Sequence, residues 1–265
     1  MNEAVDLHNH ILPALDDGPR DLEESIELAR ELVSCGYATV VATPHTLGGS
    51  PEPDLILDRM KELQAALKEK QIPLTLLPGA EQHIEPDLPA RLKNNEVLTL
   101  NRTRYLLLEL PMLQPLPVYA EELLFSLTQA GYRPVIPHPE RVVALQMNQR
   151  MLFRLHHLGA IYQVTWGAFT GLLGPAAART ARFMLKSGLV HLLATDAHNP
   201  GSPLLAVDKA AVVLDQKQES GYSEFMFTER PRLLLENKAL DLPAPKSPED
   251  RPPKRVPFLS RLFRV

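Results

Sequence analysis

Along most of the chain, short apolar runs of β type alternate with longer runs of helical period. Residues 5–8, 39–43, 74–78, 105–110, 134–137, 161–164 and 189–194 read as strands. Between and after them 22–34, 54–70, 86–94, 118–130, 149–158, 176–187 and 204–219 read as helices, and 228–238 as a final packing helix with a proline near its start. Asp21 is placed to cap the first helix, whose early turns carry Glu23, Glu24 and Glu27, and Gly36 closes it after Cys35. Regular strand–helix alternation implies a parallel sheet. Seven such units are countable, one short of the usual eight, so the expected fold is α/β, an incomplete or distorted (β/α)7 barrel over residues 1–242.

What ends the apolar runs changes the picture. Asp6-Leu-His8-Asn-His10, Asp16-Asp17-Gly18-Pro19, Thr43-Pro44-His45, Gly79-Ala80-Glu81, Leu108-Glu109, His138-Pro139-Glu140-Arg141 and Thr195-Asp196-Ala197-His198 each fall where a hydrophobic run stops. Parallel strands in a barrel point their C-terminal ends at one face, so ligands scattered in sequence converge there. His8 and His10, two apart, lie on one side of an extended strand. A lone histidine is usually a satisfied polar residue and an Asp-Asp-Gly-Pro run usually a turn; joint placement at strand ends favours a polynuclear metal site. Imidazoles mixed with carboxylates suit Mn, Fe or Zn, and a single cysteine argues against a thiolate site. His156 and His157 lie in a helical pattern and His191 in a buried strand, so these read as structural, whereas His83, two past Glu81, is a candidate to line the cleft.

Composition sets the outer bounds. A chain of 265 residues, 45% hydrophobic, suffices for one large core. A net charge of −4 without a Lys/Arg tract in the body leaves no electrostatic footprint for nucleic acid. The opening Met-Asn-Glu-Ala-Val-Asp lacks a basic and apolar leader, and no run of about 18 apolar residues occurs, so the expected location is the cytoplasm. Cys35 is the only cysteine, which excludes a disulfide framework. It also excludes the thiol route of tyrosine phosphatases: Cys-x5-Arg would need arginine where Val41 stands, and no Gly-x-Ser-x-Gly word offers a serine nucleophile. Residues 243–265 differ in kind. Five prolines among residues 243–254 preclude a helix or central strand, and six Lys/Arg against two acids give this tail +4, leaving −8 for the body. The tail reads as a linker, disordered when free, ending in the basic, apolar Phe258-Leu259-Ser260-Arg261-Leu262-Phe263-Arg264, suited to weak docking on an acidic partner such as a kinase tail or an anionic membrane face.

The seven words, in this order, resemble the polymerase-and-histidinol-phosphatase (PHP) superfamily. Within it they resemble the metal-dependent bacterial protein-tyrosine phosphatases of capsule and exopolysaccharide synthesis, over about residues 4–240; the Asp-Asp-Gly-Pro and His-x-Glu-Arg words mark that branch. The resemblance implies a distorted barrel with three divalent metals, manganese first, with Fe, Co or Zn as alternatives. His8, His10, Glu81 and Asp196 would hold one ion. Glu81, Glu109 and His138 would hold a second, with Glu81 bridging, and Asp17, His45 and His198 a third. Arg141 matches the arginine that engages the phosphoryl group, its planar fork fitting two phosphate oxygens. The loop Asn199-Pro-Gly-Ser-Pro203 carries no arginine, so phosphate clamping falls to Arg141 and the metals. The implied reaction is hydrolysis of phosphotyrosine on a protein, a bacterial tyrosine kinase of polysaccharide export. A phenol leaving group, with a pKa of about 10, needs little acid assistance; His198 or a metal-bound water is the candidate donor. Two other readings stay open: a small-molecule phosphatase, for example of histidinol phosphate, and a metal-binding interaction module without turnover.

Overall fold

The computed structural model describes residues 3–205, 207–216, 218, 221–242 and 244–246. The strands are β1 (Ala4–Asn9), β2 (Tyr37–Ala42), β3 (His45–Thr46), β4 (Thr75–Pro78), β5 (Glu81–His83), β6 (Tyr105–Glu109), β7 (Arg133–Pro137), β8 (Ile161–Thr165) and β9 (Leu192–Ala194). The helices are α1 (Leu22–Ser34), α2 (Pro53–Glu69), α3 (Leu88–Lys93), α4 (Ala120–Gln129), α5 (Val143–Met147), α6 (Arg150–His157), α7 (Gly167–Thr170), α8 (Gly174–Lys186), α9 (Val207–Asp215), α10 (Tyr222–Glu224) and α11 (Arg230–Leu235). The strands form two sheets, ordered β1-β2-β4 and β3-β5-β6-β7-β8-β9, and each strand–strand pairing is parallel. The alternation read from the sequence is therefore present, and the parallel α/β class with it.

The two sheets arise because the second and third expected strands are each followed, across a break, by a short extra strand, β3 and β5. Pro44 makes one break, having no N–H to give to a ladder. At the other break Gly79 passes so close to its neighbour that a Cβ there would lie 2.7 Å from Val41 Cγ1. Backbone bonds still cross the breaks: the Thr43 N–H donates to Asn9 O at 2.9 Å and the Glu81 N–H to Pro44 O at 3.0 Å. The edge strands also meet, since the Asp196 N–H donates to His8 O and the His10 N–H to Ala197 O, both at 3.0 Å. Asp6 fastens the same junction. Its buried carboxylate accepts the Thr195 N–H at 3.0 Å, the Thr195 hydroxyl at 2.5 Å and the Asn9 amide at 3.0 Å. Burial pushes its pKa up against those bonds, and Asp6 thus holds the first strand to the last exit.

One face of both sheets packs into a single apolar cluster, with Val5, Leu7, Val41, Leu107, Val135, Ile161 and Leu192 in it. The opposite faces pack against the helices, where Ala4, Val40, Ala42, Leu106, Leu108, Ile136 and Val164 join the larger cluster. Period-two alternation carries the first face from apolar residues to chemistry: Leu107 leads to Glu109 and Ile161 to Gln163. On β1 strict alternation from Val5 and Leu7 would present Asn9. The irregular register between Asp6 and Asn9 re-aims the strand end, which delivers His8 and His10 instead.

Several helices differ from the pattern. The helix expected over 204–219 is a 3-10 turn, Pro203–Leu205, followed by α9, which ends at Asp215, whose carboxylate accepts both the Ser223 N–H and hydroxyl at 2.9 Å. The final helix opens with a π-helical turn, Phe225–Glu229, because Pro231 has no N–H for an α-helical bond to Phe227. Asp21 caps α1 as expected, its carboxylate accepting the Glu24 N–H at 3.0 Å. Cys35 ends that helix and packs against the core half-buried. Among the described residues no helix is long and apolar enough to cross a membrane. Of the Pro-rich tail, the Lys246 N–H donates to Ser187 O at 2.9 Å, and the expectations for residues 247–265 lie outside the described residues.

His156 and His191 are structural. His156 bonds Ala160 O through Nδ1 at 3.1 Å. His191 lies one residue before β9, fully buried, and its Nδ1 accepts the Tyr162 N–H at 2.9 Å. Burial, reinforced by His156 and Arg230, pushes its pKa down to about 3, so the folded protein keeps the ring neutral while the unfolded chain protonates near 6.5. The unfolded state binds the extra proton between these values. This contribution to stability is therefore intact above about pH 6.5 and lost as pH falls toward 3, roughly 3 kcal/mol of it by pH 4. Urea unfolding in chelator at pH 7 and pH 4 should show wild type losing more stability on acidification than His191→Gln; equal losses would refute this account.

Candidate metal centre

Four side chains from three distant parts of the sequence meet at one buried point. His8 Nε2 lies 3.1 Å from His10 Nε2, 3.1 Å from Glu81 Oε2 and 3.4 Å from Asp196 Oδ1. His10 Nε2 lies 3.4 Å from the same Glu81 oxygen and 3.5 Å from the same Asp196 oxygen. His8, His10 and Glu81 thus bring their donor atoms within 3.1–3.4 Å of one another, a spacing suited to nitrogen and oxygen ligands about 2 Å from one divalent cation, and Asp196 Oδ1 approaches both imidazoles.

The outer hydrogen bonds favour that use. His8 Nδ1 bonds Gln163 Oε1 at 2.8 Å, and His10 Nδ1 bonds Asp16 Oδ2 at 2.7 Å. Both oxygens are acceptors, so each Nδ1 carries a proton and Nε2 is the nitrogen each ring turns inward. Two such nitrogens 3.1 Å apart need positive charge at the centre, a proton or a cation, to hold them together. Asp16 is itself fixed, accepting the Gly18 N–H at 2.9 Å and the His45 N–H at 3.0 Å. A side chain on Gly18 would meet His10 O at 2.2 Å, which explains glycine in the Asp-Asp-Gly-Pro word.

Glu81 is the hub. Its other oxygen lies 2.8 Å from His138 Nε2, and Oε2 lies 3.0 Å from His45 Nδ1. Glu109 reaches the same region, 3.6 Å from His45 Nδ1 and 3.6 Å from His83 Nδ1, so His83 does line the cleft. Asp17, exposed, lies 3.3 Å from His198 Nε2 and 3.7 Å from His45 Nε2. His198 stacks on His10 with ring centres 3.9 Å apart. His10, Asp17, His45 and His198 form one donor group, His8, His10 and Glu81 a second, and His45, Glu81 and Glu109 a third. His45 therefore stands between the set expected for the second ion and that for the third. His138 contacts Glu81, and its Nδ1 is buried without a partner.

Positive charge is drawn into this centre. Burial works against protonating His8, yet the Glu81 and Asp196 carboxylates raise its pKa to about 9. His10 is likewise raised well above its usual value, burial being outweighed by Asp16, Asp196 and Glu81. Glu81 and Asp196 are held far below the carboxylate range in spite of burial, Glu81 chiefly by His8 and His10 and Asp196 chiefly by His8. His198 is lowered by burial and by His10, which suits a neutral ligand more than a proton donor. Divalent cations placed among these groups would take over the role of the protons, so the donor set fits the metals expected for it.

Backbone strain marks the same end. His138 and Asp196 adopt left-handed φ of +36° and +56°, a cost met where a turn must aim a functional side chain. In the His138 turn Glu140 points inward. It accepts the Thr165 N–H at 3.0 Å, and burial pushes its pKa up to about 7. Arg141 points the other way, to the rim, and its Nη1 donates to Asp196 Oδ2 at 2.5 Å.

The sequence singled out the ligand-type residues but not the layer that aims them: Asp16, Gln163, Glu140 and the Asp6–Thr195 staple. Asp16 had a signal, being doubled with Asp17; Gln163, inside an apolar strand, had none beyond its polarity.

A parallel α/β scaffold with histidines and carboxylates gathered at the strand ends defines a protein with a candidate polynuclear metal centre. The chain belongs to the CpsB/CapC family of capsular polysaccharide synthesis, whose family model matches residues 4–236. It is 37% identical over 238 residues to the tyrosine-protein phosphatase YwqE of Bacillus subtilis, covering 89% of this chain and 93% of that protein. It is 33% identical to the putative tyrosine-protein phosphatase CapC of Staphylococcus aureus, covering 91% and 94%. A chain from the crystal structures of YwqE and of CpsB from Streptococcus pneumoniae, described as metal-dependent tyrosine phosphatases, matches with a TM-score of 0.86 at 36% identity, covering 91% of this chain and 98% of that one.

Proposed function

We propose that this protein is a metal-dependent protein-tyrosine phosphatase acting in the cytoplasm on a phosphotyrosine protein of capsule or exopolysaccharide synthesis, a bacterial tyrosine kinase being the expected substrate. The observation that carries this reading is the buried convergence of His8, His10, Glu81 and Asp196 with Arg141 bonded at its rim. The backbone bonds that join the exits of β1 and β9, and the apolar cluster shared by both sheets, support closure into the distorted (β/α)7 barrel. His8, His10, Glu81 and Asp196 would hold one ion, Glu81, Glu109 and His138 a second, and Asp17, His45 and His198 a third, manganese being preferred among divalent metals. Bound there, the cations supply an electrophilic centre for phosphoryl oxygens and bring the pKa of water toward about 7. The chain's own residues do the rest. Gln163 and Asp16 hold the tautomers of His8 and His10, and Arg141 faces the phosphoryl oxygens with a planar pair of donors. His198 is assigned as a ligand, since burial and His10 lower its pKa and leave the ring neutral, without a proton to give, and a phenol needs little help to leave. The basic tail would add a weak contact to an acidic partner or membrane surface.

Manganese-loaded protein should hydrolyse a phosphotyrosine peptide in preference to histidinol phosphate, and removal of the metal by a chelator should abolish turnover with recovery on adding Mn²⁺. Full activity in protein verified to be free of metal would contradict the reading, and a preference for histidinol phosphate would replace it with a small-molecule phosphatase. Metal binding without turnover on either would leave an interaction module.

A further inference from the structure

A groove of about 450 Å³ opens beside Arg141, within the roughly 300–1,000 Å³ of small-molecule sites. Its walls are Met112 and Leu113, from the loop after β6, and Leu173, Pro175, Ala176 and Ala177 at the start of α8. These segments follow β6 and β8, so they rise from the same end of the sheets as the metal centre. Among the described residues Arg141 is the only charged one lining the groove, and Gln146 the only uncharged polar one, its amide donating to the Glu140 carbonyl at 2.7 Å. Arg141, bonded to Asp196 of the centre, thus links the groove to it, and the rest of the lining is mostly apolar.

Two features fit a planar ring. The lining at the start of α8 is made of small residues, and even a Cβ added at Gly174 would meet nothing within 4 Å, so the space over them is open to a flat group. Leu113 stands 83% exposed at the edge, an apolar side chain with no intramolecular cover where the reacting centre opens. A guanidinium at the end of an apolar slot offers its edge to phosphoryl oxygens and its face to an aromatic ring.

We propose that this groove seats the aromatic ring of the leaving group and so makes the protein select aryl over alkyl phosphate monoesters. The inference rests on the phosphatase reading above and adds its source of specificity: a phosphoryl group within reach of Arg141 has its ester oxygen directed along the groove, where a phenyl ring is covered and a short alkyl chain is not.

The test uses the manganese-loaded full chain and two inert probes, phenylphosphonate and methylphosphonate, as competitive inhibitors of phenyl phosphate hydrolysis, with inorganic phosphate as a third probe that reports the phosphoryl site alone. Wild type should bind phenylphosphonate at least tenfold tighter than methylphosphonate. Leu113→Ala and Leu173→Ala should each shrink that ratio severalfold, and Ala176→Leu, which fills the slot, should bring it close to one. An unchanged ratio in all three variants overturns the proposal, as does an equal weakening of both phosphonates and of phosphate. A change in oligomeric state in place of a change in the ratio would assign the groove to a second copy of the chain and also overturn it. Failure of the underlying phosphatase reading shows separately, as wild type that neither hydrolyses phenyl phosphate nor is inhibited by inorganic phosphate.

Discussion

Glu81→Gln should lose bound metal and activity together, with turnover on an aryl phosphate down by on the order of 10³-fold or more. The reason lies in how many groups the one carboxylate serves: its two oxygens lie 2.8–3.4 Å from His8, His10, His45 and His138. The amide is isosteric but has one acceptor where the carboxylate has two, and its NH₂ would face imidazole nitrogens that themselves need a cation. Glu81 is fully buried, and stripping a buried ionic cluster of its hub costs about 3–5 kcal/mol, so the metal-free variant should also melt earlier. Glu81→Asp separates folding from ligation: it keeps the charge but shortens the reach, and should fold with partial metal content. Mass-spectrometric metal counts beside thermal unfolding decide the matter. Wild-type metal content in Glu81→Gln would remove Glu81 from its proposed bridging position.

The particular elements explain how far the sequence could be read. Strand–helix alternation was visible because buried parallel strands are short apolar runs and amphipathic helices carry a 3.6 period, and α1 announced both ends through Asp21 and Gly36. The breaks that split the sheet at Pro44 and at Gly79-Ala80 were not foreseen, since they depend on which neighbour the chain crosses; Gly79 matters only because Val41 packs where its side chain would be. The chemistry-bearing residues stood out because polar groups at the end of apolar runs are conspicuous. Their partition was less legible. Alternation placed His8 and His10 on one side of a strand but could not show the β1 irregularity that turns them toward Glu81, nor that His45 reaches Glu81 and Glu109 with one nitrogen and approaches Asp17 with the other. Gln163 and Asp16 act only through the two histidines they orient, a dependence that exists in three dimensions and leaves no periodic trace.

Arg141→Ala should retain the wild-type metal count and stability while lowering kcat/KM by about 10²-fold or more, as expected when a group that stabilises charge on the transferring phosphoryl is removed. Asp196 makes this outcome discriminating. Its Oδ1 faces His8 and His10, whereas its Oδ2 takes the Arg141 bond, so the arginine holds the oxygen turned away from the candidate ion. Losing that bond leaves Asp196 a more basic carboxylate, which does not weaken its hold on a cation. The side chain is one-third exposed, so truncation opens no core cavity either. Arg141→Lys should recover only part of the rate, because an ammonium is a point charge that cannot grip two oxygens in one plane. Competitive inhibition by inorganic phosphate separates the two roles open to this residue. If Arg141 clamps the phosphoryl group, phosphate inhibition weakens by tenfold or more in Arg141→Ala at constant metal content. If it serves only to position Asp196, metal content falls and the phosphate affinity of the remaining loaded protein stays as it was, an outcome that would move the phosphate clamp away from Arg141.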